Sequence, residues 1–264
     1  MSARSPKVFL ARCALVAFAL CAASIAGADV PGTIARVKGS IVAIGTYERT
    51  RTPAFQFLGT GFAVGDGSLV VTNVHVLPPV LDPARRETVA ILTPAVDRDG
   101  KAQAQMREAR RVATDPGADL AVLKVDGPRL AGLKLRDSDT VREGQEILMT
   151  GFPVGAVLGP FAATHRGMIS AITPIAIPQA RASDLDPATL RRLSTGTFPV
   201  FQLDAVAYPG NSGSPIYDPA TGEVIGIVNM VLVKGTKESA LSTPTGITYA
   251  IPARHLKALL DQVK

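Results

Sequence analysis

Three residues with the side chains needed for nucleophilic catalysis follow one another along the chain as histidine, aspartate and serine. His75 lies in the segment Val71–Val76, Asp119 opens an apolar stretch, and Ser212 lies within the glycine-containing segment Pro209–Pro215. A serine hydroxyl is a weak nucleophile at neutral pH and needs a neighbouring base, which an imidazole can provide. A buried carboxylate can fix the tautomer of that imidazole. The chain therefore carries candidates for a nucleophile, a base and an orienting acid.

The residues around Ser212 predict a turn that can stabilise negative charge. Glycines allow a tight turn whose backbone N–H groups point to one spot. Such groups can stabilise the oxyanion of a tetrahedral intermediate, which is worth roughly 3–4 kcal/mol per donor. We expect Gly210 and Ser212 to provide the donors of this oxyanion hole and Asn211 to shape the turn.

Other residues of the same types fit these roles less well. His165 has no nucleophile motif beside it, and His255 falls in a predicted helix. Asp115 begins an Asp-Pro-Gly turn, while Asp204 and Ser214 are interpreted as structural residues. No group of His, Cys, Asp and Glu has metal-ligand spacing, and no phosphate-binding loop is found. The sequence therefore predicts neither a metal nor a cofactor.

The elements that must position these residues are mostly short strands. Branched apolar runs bounded by Gly, Asp or Pro are typical of strands, and many of them in series indicate a β-barrel or a sandwich. These runs are Ser40–Ile44, Gly61–Val64, Leu69–Val71, Leu120–Leu123, Glu146–Thr150, Gly167–Ile172, Val200–Leu203, Val224–Met230 and Ile247–Ile251.

Two helices are also predicted. Asp186–Leu193 has a proline early in it, which suits a helix start, and it lies within the long connection Thr173–Pro199. Ala253–Val263 is amphipathic, because its apolar residues recur at helical spacing. The apolar residues on that face are Leu256, Leu259, Leu260 and Val263.

The N-terminal residues 1–28 have the pattern of a secretory signal peptide. Three basic residues precede the apolar run Cys13–Ile25, and Ala26–Ala28 matches a cleavage site, so we expect a mature chain from Asp29. The alternative, an uncleaved anchor, stays open. Both cysteines lie in this segment, so the mature chain has no disulfide. We predict export, to the periplasm or beyond the cell, with no membrane span after signal removal.

The formal net charge of +6 does not indicate a nucleic-acid partner. Residues 1–28 hold three of the 28 basic residues and no acidic one, which leaves +3 for the remainder. The basic pairs Arg110–Arg111 and Arg191–Arg192 are short and are not interleaved with aromatic residues. Solvated surface charge explains them better than a nucleic-acid groove.

Taken together, the motifs resemble those of the trypsin-like serine endopeptidases, in particular the HtrA (DegP-like) branch. The resemblance covers roughly residues 35–262 of the chain. The segments that carry it are Thr72–Val76, Asp119–Lys124, Arg142–Gln145, Gly151–Gly155, Gly167–Ala171, Leu203–Ala205, Pro209–Pro215, Val224–Ile227 and Tyr249–Pro252.

The resemblance implies an all-β fold of two six-stranded antiparallel β-barrels, as in chymotrypsin, ending in a short C-terminal helix. Residues 29–134 would form the barrel that carries His75 and Asp119, and residues 135–264 the barrel that carries Ser212. The resemblance implies His75 as base, Asp119 as orienter and Ser212 as nucleophile, in the cleft between the barrels.

Three features depart from the family pattern. The family often continues into PDZ domains, but only 12 residues follow Pro252, which is too few for one. Ser214 stands where a glycine is usual, as it also does in glutamyl endopeptidases. The connection Thr173–Pro199 is longer than is usual. We therefore expect a protease domain without PDZ-based substrate capture.

The substrate pocket implied by the resemblance is apolar. Val206, six residues before the serine, would form its base, with Val228 and Asn229 as further lining. A carboxylate at the position of Val206 would select basic side chains, and a histidine in Gly226–Met230 would select glutamate; the sequence has neither. We expect a broad preference for small or medium apolar residues on the acyl side of the cut.

The implied function is hydrolysis of peptide bonds in unfolded or extended proteins through an acyl-enzyme. The partners would be polypeptide substrates. Two alternatives stay open: a catalytically silent or latent binding or chaperone-like protein on the same fold, and an esterase that acts on small substrates. HtrA relatives form trimers through N-terminal segments. An oligomer is therefore possible, although Asp29–Lys38 gives no clear sign of one.

Overall fold

Twelve strands in the described part of the chain close into two six-stranded antiparallel barrels. The structure is a computed structural model, and it describes residues 29–96, 99, 102–153, 155, 161–174, 198–229 and 247–263. The first barrel has the strand order β1-β2-β3-β6-β5-β4, and the second has the order β10-β11-β12-β9-β8-β7. This confirms the predicted fold class.

The strands of the first barrel are β1 Ile41–Tyr47, β2 Phe55–Val64, β3 Leu69–Asn73, β4 Thr88–Val96, β5 Ala102–Asp115 and β6 Leu120–Val125. Those of the second are β7 Glu146–Gly151, β8 Ala163–Pro174, β9 Pro199–Asp204, β10 Pro215–Tyr217, β11 Val224–Val228 and β12 Ile247–Pro252. Short 3₁₀ helices occupy Val74–Val76 and Ser138–Thr140. The described residues also include two α-helices, α1 Val30–Lys38 and α2 Ala253–Leu260.

The pairing of β3 with β6 brings distant parts of the first barrel together. Because the two strands are antiparallel, Asn73 at the end of β3 lies opposite Leu120 at the start of β6. His75 follows β3 by two residues and Asp119 directly precedes β6. Their proximity is therefore a consequence of strand register.

In the second barrel, β10 pairs with both β11 and β7. Before β10 begins, Gly213 N donates to Val228 O at 3.0 Å, and Val228 N donates to Ser214 O at 2.9 Å. These bonds hold the segment that contains Ser212 against the end of β11.

Each barrel has its own buried apolar cluster, and a third cluster spans both barrels. A continuous buried cluster includes Phe62 and Leu120 from the first barrel and Leu148 and Tyr217 from the second. Burial of such large side chains contributes about 1.5–3 kcal/mol each. Since the cluster spans both barrels, it holds them against each other.

The sequence predicted one of the two α-helices among the described residues and not the other. The C-terminal helix α2 is confirmed, with Leu256 and Leu259 buried and Leu260 half-buried. Helix α1 was not predicted; Asp29 caps it by accepting from Gly32 N at 2.9 Å. The predicted helix Asp186–Leu193 and the predicted signal peptide, residues 1–28, lie outside the described residues.

Candidate active site

His75, Asp119 and Ser212 are joined by a continuous chain of hydrogen bonds across the cleft. Nδ1 of His75 lies 2.6 Å from Oδ2 of Asp119, and Nε2 of His75 lies 2.8 Å from Oγ of Ser212. Because a carboxylate only accepts hydrogen bonds, Nδ1 is the ring nitrogen that donates to Asp119. This leaves Nε2 to accept a proton from the serine hydroxyl.

Asp119 is buried and is held at both its side chain and its main chain. Its Oδ1 accepts from the backbone N–H of His75 at 3.0 Å, and its Oδ2 accepts from Nδ2 of Asn229 at 2.8 Å. Its carbonyl accepts from Nδ2 of Asn73 at 3.0 Å and from Val74 N at 3.2 Å. The carboxylate is therefore fixed against the ring that it orients.

The turn around Ser212 needs glycine for steric reasons. Gly210 and Gly213 have φ values of +102° and +86°, a region that side chains disfavour. A Cβ at Gly210 would collide with the carbonyl of Phe152. The predicted tight turn is thus present, with Ser212 at its centre.

The backbone N–H groups of Gly210, Asn211 and Ser212 differ in whether an acceptor already occupies them. Asn211 N donates to Tyr208 O at 2.9 Å, so that amide is occupied within the turn. The amides of Gly210 and Ser212 have no hydrogen-bond acceptor in the described part of the chain. The assignment of Gly210 and Ser212 as oxyanion donors, with Asn211 shaping the turn, stays a prediction.

The three candidate pocket residues lie in different surroundings. Val206 is half-buried, while Val228 is fully buried in the core of the second barrel. Asn229 is 1% exposed, and its side-chain amide donates to Asp119. The sequence analysis missed this contact, although an asparagine directly after the strand that follows the serine was a signal for it.

The residues interpreted as structural lie apart from this hydrogen-bond chain. Asp115 accepts from Ala118 N at 3.0 Å and so closes a turn. Burial lowers the pKa of His165 and of His255. Asp204 is exposed, and the Ser214 side chain is buried with no hydrogen-bond partner among the described residues.

In the part of the chain that the structure describes, no group of three or more His, Cys, Asp or Glu side chains is arranged to hold a metal ion. Within the same residues, no helix has the length and apolar character needed to cross a membrane.

The part of the chain that contains His75, Asp119 and Ser212 matches a known protein family. The model of the trypsin-like peptidase domain matches residues 59–227, which contain all three hydrogen-bonded residues. The chain belongs to the trypsin-like peptidase family. This confirms the resemblance inferred from the motifs.

Relatives of this trypsin-like peptidase carry names from the DegP-like branch. A probable periplasmic serine endoprotease DegP-like of Marinomonas sp. (strain MWYL1) is 30% identical over 212 residues, which are 78% of this chain and 35% of that protein. The protein of the same name from Pseudomonas putida (strain W619) is 30% identical over 197 residues, covering 74% and 34%. The chain thus spans about a third of the length of these relatives.

Among solved structures, the HtrA-type protease AlgW with tripeptide is similar. It superposes with a TM-score of 0.59 and 25% identity, and the match covers 89% of this chain and 63% of that one. The chain is therefore homologous to serine endoproteases of the HtrA and DegP-like group.

Proposed function

We propose that this trypsin-like peptidase is a serine endopeptidase that cuts extended or unfolded polypeptides through an acyl-enzyme on Ser212. The observation that carries the proposal is the chain of hydrogen bonds from Ser212 through His75 to Asp119, with heavy-atom distances of 2.8 and 2.6 Å. The 2.8 Å distance lets His75 take a proton from Ser212, and the 2.6 Å distance lets Asp119 orient the ring.

In the proposed reaction, Nε2 of His75 takes the proton of the Ser212 hydroxyl as Oγ attacks the carbonyl carbon of the peptide bond. Asp119 stabilises the imidazolium that forms, and the amides of Gly210 and Ser212 donate to the oxyanion. His75 then returns the proton to the leaving amine, and the acyl-enzyme remains. A water molecule, deprotonated by His75, hydrolyses that ester and restores the serine.

The proposed preference for small or medium apolar residues depends on Val206. Its side chain is half-buried, and it carries no charge that could pair with a basic or acidic substrate residue. Val228 and Asn229 make a smaller contribution in this proposal, because their side chains are occupied by the barrel core and by Asp119. An apolar pocket separates substrates by only about 1–3 kcal/mol per methylene, so the preference is broad.

The proposed location is outside the cytoplasm, with the periplasm favoured. This proposal is supported by the signal-peptide pattern of residues 1–28 and by the word "periplasmic" in the names of the relatives.

Digestion of unfolded casein tests the proposal. The purified chain and its Ser212→Ala variant are incubated with casein, and the fragments are sequenced by mass spectrometry. We expect the wild type to cut after residues such as Val, Ala or Leu. We expect Ser212→Ala to lower the rate by about 10⁴-fold or more, since the nucleophile is removed.

Other outcomes would contradict separate parts of the proposal. Cleavage after Arg or Glu would overturn the apolar pocket and leave the endopeptidase in place. Hydrolysis of short esters without cleavage of casein would indicate an esterase. A folded wild type that neither cuts casein nor reacts with a serine-directed phosphonate would favour the catalytically silent binding protein.

A further inference from the structure

Thr60 links the first barrel to the loop that carries the nucleophile of the second. It lies in the middle of β2, and it is 0% exposed. A buried threonine hydroxyl needs hydrogen-bond partners, because leaving it unpaired costs free energy. The partners of the Thr60 hydroxyl lie across the junction of the barrels, in the loop around Ser212 and after β7.

Every polar group of Thr60 has a partner. Its backbone N–H donates to Ser212 O at 2.9 Å, and its hydroxyl donates to Gly210 O at 2.7 Å. The hydroxyl also accepts from Phe152 N at 3.0 Å. The carbonyl of Thr60 accepts from the hydroxyl of Thr72 at 2.7 Å. Thr60 thus joins the first barrel to the segment after β7 and to the loop around Ser212 (residues 209–214, the nucleophile loop).

The hydrogen bond from the Thr60 hydroxyl to Gly210 O restrains the peptide plane between Gly210 and Asn211. The peptide between Gly210 and Asn211 is held at both ends, because Thr60 binds its carbonyl and Tyr208 O accepts its N–H at 2.9 Å. The two peptides on either side of it carry the N–H groups of Gly210 and Ser212. Since a peptide is planar, fixing the central plane restricts the direction of both neighbouring N–H groups.

We propose that Thr60 is a positioning residue that aims the oxyanion donors of Gly210 and Ser212 through its hydroxyl. This inference rests on the proposed function, because it assigns those amides to the oxyanion. Gly210 has a φ of +102°, and glycine gives its peptide little intrinsic restraint. The restraint must therefore come from partners such as Thr60.

Removal of the hydroxyl at constant shape is the direct test. Thr60→Val leaves Gly210 O and Phe152 N without their partner, so the central peptide loses one of its two restraints. We expect kcat on a peptide substrate to fall about 10–100-fold with a small change in KM, since misplaced oxyanion donors act in the transition state. Affinity for a peptide boronate is expected to fall by a similar factor. Thr60→Ser keeps the hydroxyl, and we expect it to retain most of the wild-type kcat.

Thr33→Val is the matched control. The Thr33 hydroxyl is also buried, donates to the carbonyl of Ala220 and accepts from the Arg36 guanidinium, but it lies in α1. We expect this variant to lose stability without losing kcat. If Thr60→Val loses stability and keeps kcat and boronate affinity, Thr60 is only structural and the inference is wrong.

A second measurement does not depend on activity. Amide hydrogen exchange is compared for residues 208–215 in Thr60→Val, Thr60→Ser and Thr33→Val, each combined with Ser212→Ala. Faster exchange in the Thr60→Val protein alone supports the inference, and equal exchange in all three overturns it. A wild type inactive towards casein and phosphonate refutes the proposed function, while this comparison still decides the role of Thr60.

Discussion

Asp119 adopts a backbone conformation that few residues adopt, and its contacts explain how the fold maintains it. Its φ is +54°, in the left-handed region, which aspartate tolerates better than most side chains. Hydrogen bonds from Asn73 and Val74 hold its carbonyl. With the main chain fixed in this way, both carboxylate oxygens face donors, and the ring of His75 has a rigid partner.

Asn229 provides a test of that rigidity. Asn229→Ala removes the donor that lies 2.8 Å from Asp119 Oδ2. A hydrogen bond to a charged group contributes about 1.5–3 kcal/mol. We expect kcat/KM on a peptide substrate to fall about tenfold or more, because Asp119 loses part of its restraint.

Asn229→Ser is the matched control, since a serine keeps a donor near the carboxylate. We expect its rate to lie between those of the wild type and Asn229→Ala. Loss of thermal stability in Asn229→Ala at unchanged kcat/KM would contradict a role for Asn229 in orienting Asp119.

At the scale of elements, the end of β7 packs directly beneath the nucleophile loop. A Cβ on Gly151 would collide with the hydroxyl oxygen of Ser214 and would lie 3.0 Å from both Asn211 Oδ1 and Thr60 Oγ1. The last residue of β7 therefore has to be small for the loop to keep its position against β2.

Gly151→Ala tests this packing. Overpacking of a buried site costs about 1–3 kcal/mol. We expect the free energy of unfolding to fall by that amount and the rate of phosphonate labelling at Ser212 to fall with it. Gly39→Ala is the control, because its Cβ would lie 3.5 Å from the nearest atom, Arg36 O. If urea denaturation gives Gly151→Ala the same free energy of unfolding as the wild type, the loop around Ser212 adjusts freely to the added Cβ and the prediction is wrong.

Some of the strands that sequence analysis identified are completely buried, whereas β5, which it missed, has no buried residue among those described. Runs such as Leu120–Leu123 and Val224–Val228 are completely buried and read as continuous apolar segments. By contrast, β5 contains Arg107, Arg110 and Arg111 among its 14 residues, and it escaped a search for apolar runs. Its partner β4 was missed as well. Their pairing is a tertiary property of the barrel that neither segment displays by itself.

The site shows the same division between local and long-range information. The residue types of His75, Asp119 and Ser212 stand in local motifs, so sequence was sufficient to nominate them. Asn229 lies 110 residues from Asp119, to which it donates, and Thr60 lies 150 residues from Gly210, to which its hydroxyl donates. Asn229 was therefore assigned to the pocket, and Thr60 was not singled out. Only the closure of both barrels reveals which polar groups support the three named residues.

At the scale of the whole molecule, the proposed activity depends on how the barrels meet. His75 and Asp119 come from the first barrel and Ser212 from the second, so the 2.8 Å bond between His75 and Ser212 crosses the junction. The parallel bridges Val64–Leu133 and Leu135–Val224 mark the passage of the chain from one barrel to the other. Under the proposed function, we expect a change that loosens this junction to lower activity even where it leaves His75, Asp119 and Ser212 in place.

The stability of the molecule as a whole is expected to depend on pH through two buried histidines. Burial lowers the pKa of His165 and of His255; nearby Arg254 lowers that of His255 further, while Asp115 and Asp139 act in the opposite direction. His255 also packs against Phe198, with ring centroids 4.1 Å apart. Both groups are therefore more easily protonated in the unfolded chain, where histidine has an ordinary pKa of about 6.5.

The sign of the effect follows from proton binding. Above about pH 6.5 both histidines are neutral in either state, and their full contribution to stability is present. As the pH falls through that value, the unfolded state binds more protons and the free energy of unfolding decreases. We expect urea denaturation to show lower stability at pH 5 than at pH 8, and His165→Gln with His255→Gln to flatten the dependence. Glu87, whose pKa is lowered by hydrogen bonds from Thr46 and from Asp82 N, loses its contribution only at more acidic pH. If the free energy of unfolding of the double histidine variant falls equally steeply between pH 8 and pH 5, groups other than His165 and His255 control the pH dependence of stability.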